Sequence, residues 1–263
     1  MAATKTLEQL LVERDKPARS GKPLFMAHMI AGYPTISESV QVAKALVKGG
    51  ADIIEVQIPF SDPMADGPTI AVASEEALKK GATVAKALDV VKKIAAFGKP
   101  VVVMSYINPV YRVDIAKFVG AIARAGASGI IVPDCPFDTE EGMSLIVACK
   151  AASIALIPVV SPGVPRDRIE TLAKNAGGFW YCTSRQGITG ATSVFASDLP
   201  GFVNRLRGMS TLPVAVGFGV KSKKDVRDLS KFADIVIAGS VFVTALKKNR
   251  KVSTVEKAMR SLL

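Results

Sequence analysis

Glu55 and Asp66 are the side chains of this sequence best placed for acid–base chemistry. Glu55 stands inside an apolar run, Ile53-Ile54-Glu55-Val56-Gln57-Ile58, which Gly50 and Ala51 lead into and Pro59 ends. Such a run reads as a buried parallel strand. A lone buried charge is costly, so Glu55 needs either a partner or a catalytic task. The loop that follows, Pro59-Phe60-Ser61-Asp62-Pro63-Met64-Ala65-Asp66-Gly67-Pro68, brings Asp62 and Asp66 just beyond the strand's carboxyl end. From there a strand carboxylate and a loop carboxylate can face one cavity. Two carboxylates in different surroundings can divide acid and base roles. The alternatives are a strand glutamate paired with Lys or Arg and an aspartate that caps a loop.

Three other segments have the composition of anion-binding loops: Ser184-Arg185-Gln186-Gly187-Ile188-Thr189-Gly190, Gly217-Phe218-Gly219 and Gly239-Ser240. Glycine lets backbone N–H groups approach an anion closely, and a helix N-terminus adds partial positive charge. Any one of these segments alone reads as a tight turn. Two of them after adjacent late strands point instead to a phosphate, which barrel folds often hold there. Arg185 and Thr189 sit on a loop able to close over a substrate and exclude water. Met104, Tyr106, Tyr181 and Phe218 are candidates to hold a ring, with core packing as their ordinary role.

Other chemistries fare less well. His28 is the only histidine, so a Ser-His-Asp triad would depend wholly on it, and multi-histidine metal sites are excluded. Cys135, Cys149 and Cys182 are odd in number and widely spaced, which favours inert packing over disulfide, zinc or thiol chemistry. The net charge of +11 draws on Lys221-Ser222-Lys223-Lys224 and Lys247-Lys248-Asn249-Arg250-Lys251. No nucleic-acid motif accompanies it, so it reads as a solvated basic surface, with attraction of an anionic substrate as a milder consequence. No apolar run reaches the ~18–20 residues of a membrane span. The polar N-terminus is not a signal peptide, and a cytoplasmic address is the expectation.

These residues need elements to position them. Strand-like segments recur at 24–31, 53–58, 101–106, 129–132, 155–160, 179–183, 213–216 and 235–238. Helical patterns lie at 7–14, 37–48, 70–79, 84–96, 114–125, 140–151, 166–175, 199–207, 225–232 and 254–262. Glycines at 50, 98, 126 and 178 suit helix C-termini. Alternation of this kind predicts an α/β fold, a single (β/α)8 TIM barrel with an extra N-terminal helix. A doubly wound open sheet is the runner-up. No linker divides the chain, so residues 1–263 are expected to form one domain, with 1–6 a mobile tail.

Residues 50–68 resemble the signature of the tryptophan synthase alpha subunit family, Gly-Ala-Asp-x-x-Glu-Leu-Gly-Ile-Pro-Phe-Ser-Asp-Pro-x-Ala-Asp-Gly-Pro. They depart from it at Val56 and Gln57. The resemblance extends over nearly the whole chain. Ser184 to Gly190 matches the family's Ser-x-x-Gly-Val/Ile-Thr-Gly, and its Gly-Phe-Gly and Gly-Ser recur at Gly217 to Gly219 and at Gly239 and Ser240. Tyr106, Asn108, Val132-Pro133-Asp134 and Tyr181 match as well. Departures fall near the expected pocket. The family usually has an apolar or aromatic residue where His28 stands, Thr where Ile30 stands and Leu where Cys135 stands. Ser161-Pro162-Gly163 replaces an Ala-Pro-Thr-like run.

The resemblance implies a lyase of tryptophan biosynthesis that cleaves indole-3-glycerol phosphate to indole and glyceraldehyde 3-phosphate. Glu55 would transfer protons at the leaving indole carbon and the side-chain hydroxyl, and Asp66 would accept the indole N–H. Tyr106, Tyr181, Arg185, Thr189, Gly190, Phe218, Gly219, Gly239 and Ser240 would bind substrate, and Thr189 would bond Asp66 on closure. The chain itself would need no cofactor. Its partner would be a beta subunit carrying pyridoxal phosphate, in an alpha2beta2 assembly, with 59–68 and 108–112 as contact surfaces. The alternatives are a weakly active or inactive alpha-like subunit that activates a beta partner, a stand-alone indole-releasing lyase, and another phosphate-binding barrel lyase or isomerase.

Overall fold

The computed structural model describes residues 7–14, 22–183, 198–217 and 219–263. Its strands are β1 (Leu24–Ile30), β2 (Ile53–Gln57), β3 (Val101–Met104), β4 (Gly129–Ile131), β5 (Ala155–Leu156), β6 (Val159–Val160), β7 (Trp180–Thr183), β8 (Val214–Gly217) and β9 (Ile235–Ala238). All pair in parallel, in the order β5-β4-β3-β2-β1-β9-β8-β7-β6. The first and last members are two pieces of one strand. Pro158 interrupts it because proline has no N–H to give the ladder. The interrupted stretch still spans the gap. Ile157 N–H donates to the Ile130 carbonyl, and Tyr181 N–H donates to the Pro158 carbonyl, each at 2.9 Å. The sheet therefore closes on itself, and the expected strand at 155–160 is the closing strand of an eight-fold barrel, not an edge of an open sheet.

Alternation along each strand builds two cores. One side of the strands, with Leu24, Met26, Ile53, Val102, Ile131, Phe179, Ala215 and Ile235, fills the barrel. The other side, with Phe25, Ala27, Ile54, Val56, Val103, Trp180, Val216 and Val236, packs beneath the helices. Leu7, Leu10 and Leu11 of α1 (Leu7–Arg14) join the interior cluster. Inward positions turn polar toward the carboxyl ends of β1 and β2. There His28, Glu55 and Gln57 are buried where apolar residues stand elsewhere.

The surrounding helices are α2 (Ile36–Gly49), α3 (Pro68–Lys79), α4 (Val84–Ala95), α5 (Ile107–Val113), α6 (Ile115–Arg124), α7 (Glu140–Ala152), α8 (Arg166–Ala173), α9 (Leu199–Met209), α10 (Lys223–Leu229), α11 (Ser240–Asn249) and α12 (Ser253–Leu262). The four glycines expected at helix ends all have positive φ, from 72° at Gly178 to 113° at Gly50. At Gly50 this conformation lets its N–H turn back to the Leu46 and Val47 carbonyls and end α2. Two helices were not expected from sequence. In α5, Pro109 suggests a loop, yet it lies in the first turn, where a missing N–H costs nothing. In α11, Val241, Phe242 and Val243 are poor helix formers, but Phe242, Val243 and Leu246 are buried, and packing overrides propensity. Among the described residues no helix is long and apolar enough to cross a membrane. The expected tail at 1–6 lies outside the described residues.

Asp52 and Asp234 stand just before β2 and β9 and clip the preceding neighbours in the sheet. Asp52 Oδ2 accepts the Phe25 N–H at 3.0 Å, and Asp234 Oδ2 accepts the Val214 N–H at 2.8 Å. Asp52 is buried, so Asp52→Ala leaves an amide without its acceptor. We expect a loss of about 1–3 kcal/mol, read by denaturant unfolding. Asp52→Asn should keep most of the stability.

Candidate active site

A cavity of about 470 Å³ opens at the carboxyl ends of the strands, within the ~300–1,000 Å³ of small-molecule sites. Its wall includes His28, Glu55, Asp66, Met104, Tyr181, Gly219, Lys221, Gly239 and Ser240. The β1–β2 register sets His28 opposite Glu55. His28 Nδ1 lies 3.2 Å from Glu55 Oε1. Glu55 is thus paired, though with a histidine and not with the Lys or Arg that the sequence suggested as an alternative.

Asp66 is held by two side chains. Gln57 Nε2 donates to its Oδ2 at 2.5 Å, and the Tyr106 hydroxyl also bonds it. The same hydroxyl accepts the Ala65 N–H at 3.1 Å. Upstream, the Ser74 hydroxyl accepts the Phe60 N–H and donates to the Phe60 carbonyl, at 2.9 and 3.1 Å. The Phe60 and Tyr106 rings pack with centroids 5.4 Å apart. The loop between β2 and α3 is therefore tied down at several points. Tyr106 is fully buried behind it, outside the cavity lining, and serves as an anchor for Asp66.

Burial raises the Asp66 carboxyl above 3.8, against opposing effects of His28 and of the Gln57 and Tyr106 hydrogen bonds. Burial, Glu55 and Asp66 raise the Tyr181 phenol well above its ordinary value, so it is neutral. Burial alone would lower the His28 imidazole, but the charge and hydrogen bond of Glu55 and the charge of Asp66 together outweigh it and raise the imidazole above 6.5.

Another part of the cavity wall suits an anion. Gly219 has φ +80°, and Val220 and Lys221 continue its loop along the wall. The two helix N-termini nearby differ. That of α10 is closed by a capping box, in which Ser222 and Asp225 satisfy each other's backbone groups. That of α11 starts at Gly239 with no side-chain cap, so its first N–H groups are open to a ligand. Gly239 also lies flush against His28. A Cβ there would stand 2.9 Å from His28 Cδ2, closer than packing allows.

Of the site residues read from sequence, Glu55, Asp66, Tyr181, Gly219, Gly239 and Ser240 meet in this one cavity. Arg185, Thr189, Gly190 and Phe218 lie outside the described residues. Cys135, Cys149 and Cys182 are buried, and burial raises their thiols to about 11, 12 and 12. That fits inert packing. The basic helix faces are solvated, as expected, with exposed pairs such as Lys224–Asp228 at 2.7 Å. Sequence reasoning missed the tasks of His28 and Gln57. The available signal was a polar residue at an inward position of an otherwise apolar strand.

Comparison with known proteins adds the family. A family model described as tryptophan synthase alpha chain matches residues 15–262. The tryptophan synthase alpha chain of Desulforapulum autotrophicum is 37% identical over 97% of this chain and 99% of its own length. That of Methanosarcina mazei is 39% identical over 90% and 87%. A solved structure of Mycobacterium tuberculosis tryptophan synthase superposes with a TM-score of 0.88 at 34% identity, covering 99% of this chain and 97% of that one. With sequence, fold and extent all in agreement, the chain belongs to the tryptophan synthase alpha chain family.

Proposed function

We propose that the chain cleaves indole-3-glycerol phosphate with Glu55 as the acid–base group and Asp66 as the electrostatic one. Cleavage of indole-3-glycerol phosphate is the family's reaction, and the chain is accordingly a carbon–carbon lyase of tryptophan biosynthesis. The observation that supports the residue assignment is the shared cavity, which Glu55 and Asp66 line together with Gly219, Gly239 and Ser240.

The reaction makes three demands. A proton must reach the indole carbon that leaves, the side-chain hydroxyl must lose its proton as it becomes an aldehyde, and the charge developing on the indole nitrogen must be stabilised. Glu55 meets the first two in turn, giving a proton and then recovering one. Asp66 meets the third by accepting the indole N–H. Met104, Ile131 and Tyr181 give the ring an apolar wall. The phosphate lies on the open N–H groups of α11 and on the Gly219 loop, with Lys221 also lining the cavity. Arg185, Thr189, Gly190 and Phe218 complete the substrate site in this reading, on the strength of the sequence resemblance. No cofactor enters these steps.

Pyridoxal phosphate belongs to a beta subunit, with which the chain forms an alpha2beta2 assembly in the cytoplasm. The assembly reading rests on family membership. The test is indole release from indole-3-glycerol phosphate by the purified chain, with and without a beta subunit. Release that the beta subunit accelerates is expected. No release in either condition overturns the reading.

The phosphate assignment has its own test. Gly219→Asp and Gly219→Asn place similar side chains at a positive φ, which both tolerate comparably. Only the aspartate sets a like charge against the anion. Inorganic phosphate should bind Gly219→Asp at least about tenfold more weakly than Gly219→Asn, an effect of about 1.4 kcal/mol. Equal affinities would move the phosphate site elsewhere.

A further inference from the structure

His28 stands apart from the rest of the cavity wall. It occupies an inward position of β1, is 6% exposed, and is the only histidine of the chain. One ring nitrogen faces Glu55 at 3.2 Å. Among the described residues the other, Nε2, is buried with no hydrogen-bond partner. The ring edge carrying Cδ2 presses against Gly239, and no Cβ intervenes. An apolar ring would close the wall equally well. Histidine adds a titratable proton in direct contact with the carboxylate assigned to proton transfer.

We propose that His28 and Glu55 work as one acid–base unit, in which His28 is a positioning residue that stores the proton Glu55 delivers to the indole carbon. The proposal rests on the lyase reading above. At rest the unit holds one exchangeable proton, shared between Nδ1 and Oε1. Delivery forms the C–H bond at the indole carbon, leaving a neutral imidazole beside an ionised carboxylate. The carbon–carbon bond then breaks, and its electron pair returns to the indole ring. The hydroxyl oxygen becomes the aldehyde oxygen, and its proton returns to the unit. Protons and electrons balance without any further reactant.

The surroundings support this storage. The charged groups facing His28 are Glu55 on β2 and Asp66 on the loop beyond it, both favouring the imidazolium. Gln57, Tyr106 and Tyr181 are neutral. Lys221 also lines the cavity, and β9 with the start of α11 offers to it only Ile237, Ala238, Gly239 and Ser240. Burial opposes the imidazolium, and Glu55 and Asp66 together prevail, so the imidazole keeps its proton above the ordinary 6.5.

A single histidine makes the test direct. Imidazole NMR signals of the purified full chain, followed against pH, should give a midpoint above 6.5. The midpoint should fall in Glu55→Gln, where burial has lost its main opponent. A wild-type midpoint at or below 6.5, or one that Glu55→Gln leaves in place, overturns the proposal. The second arm is the pH profile of kcat/KM for indole release. The wild-type high-pH limb should coincide with the imidazole midpoint read by NMR, and His28→Phe and His28→Gln should both move it by about one unit or more, because the imidazole no longer sets it. A structural role would lower kcat and leave that limb in place, which refutes the unit while the lyase reading stands. A wild-type chain that releases no indole brings down both.

Discussion

Glu55→Gln is expected to lower kcat for indole release by about 10²–10⁴-fold, the usual range for a positioned acid–base group, with the fold and phosphate affinity retained. Glutamine keeps the shape of the side chain at a position that is 2% exposed. Its amide oxygen can still accept from His28 Nδ1, so the pairing that now spans 3.2 Å need not break. What it cannot do is carry the transferable proton. The loss should fall on kcat and kcat/KM together, because the interaction removed belongs to the transition state. Near-equal kcat in the variant would remove Glu55 from the chemistry and leave it a buried partner of His28.

The alternation of strands and helices was legible because inward and outward apolar positions repeat along every strand and glycines mark the helix ends. The elements that escaped have local explanations. Pro109 looks like a breaker until its place in a first turn is known. Val241 to Val243 look extended until their burial is known. Pro158 splits a strand that reads as continuous. The site was legible to the same depth. Glu55 and Asp66 are conspicuous as charges in and beside an apolar strand, and the glycine loops by composition. That His28 reaches Glu55, and that Gln57 reaches Asp66, depends on sheet register and loop course. Neither is written in either segment alone. The resemblance to the family had the opposite effect at these positions, since it presents His28 and Gln57 only as departures from its pattern.

Asp66→Asn is expected to lower kcat by about 10²–10³-fold, as removal of one electrostatic group from a preorganised site commonly does, while thermal stability stays level or rises. The two halves of this expectation have one cause. The folded chain holds the Asp66 carboxyl above its ordinary 3.8, chiefly through burial. The unfolded chain therefore gives up this proton at lower pH than the folded chain does. As pH rises from the unfolded value through the folded one, ionisation of Asp66 takes stability away, and the loss is complete above the folded value. The residual attraction of His28 and the hydrogen bonds from Gln57 and Tyr106 reduce the loss without cancelling it, since the net shift is upward. An asparagine carries no such penalty, and its side-chain oxygen can still accept from Gln57. It lacks the negative charge that would stabilise a positive indole nitrogen in the intermediate. A charge kept at the expense of stability is what an electrostatic role in catalysis requires. The measurement pairs single-turnover indole release with thermal unfolding of the same preparation. A variant that loses stability and activity in proportion would make Asp66 a loop-holding residue. Loss of turnover in a protein as stable as the wild type, or more so, is the signature of a carboxylate that serves the transition state and not the fold.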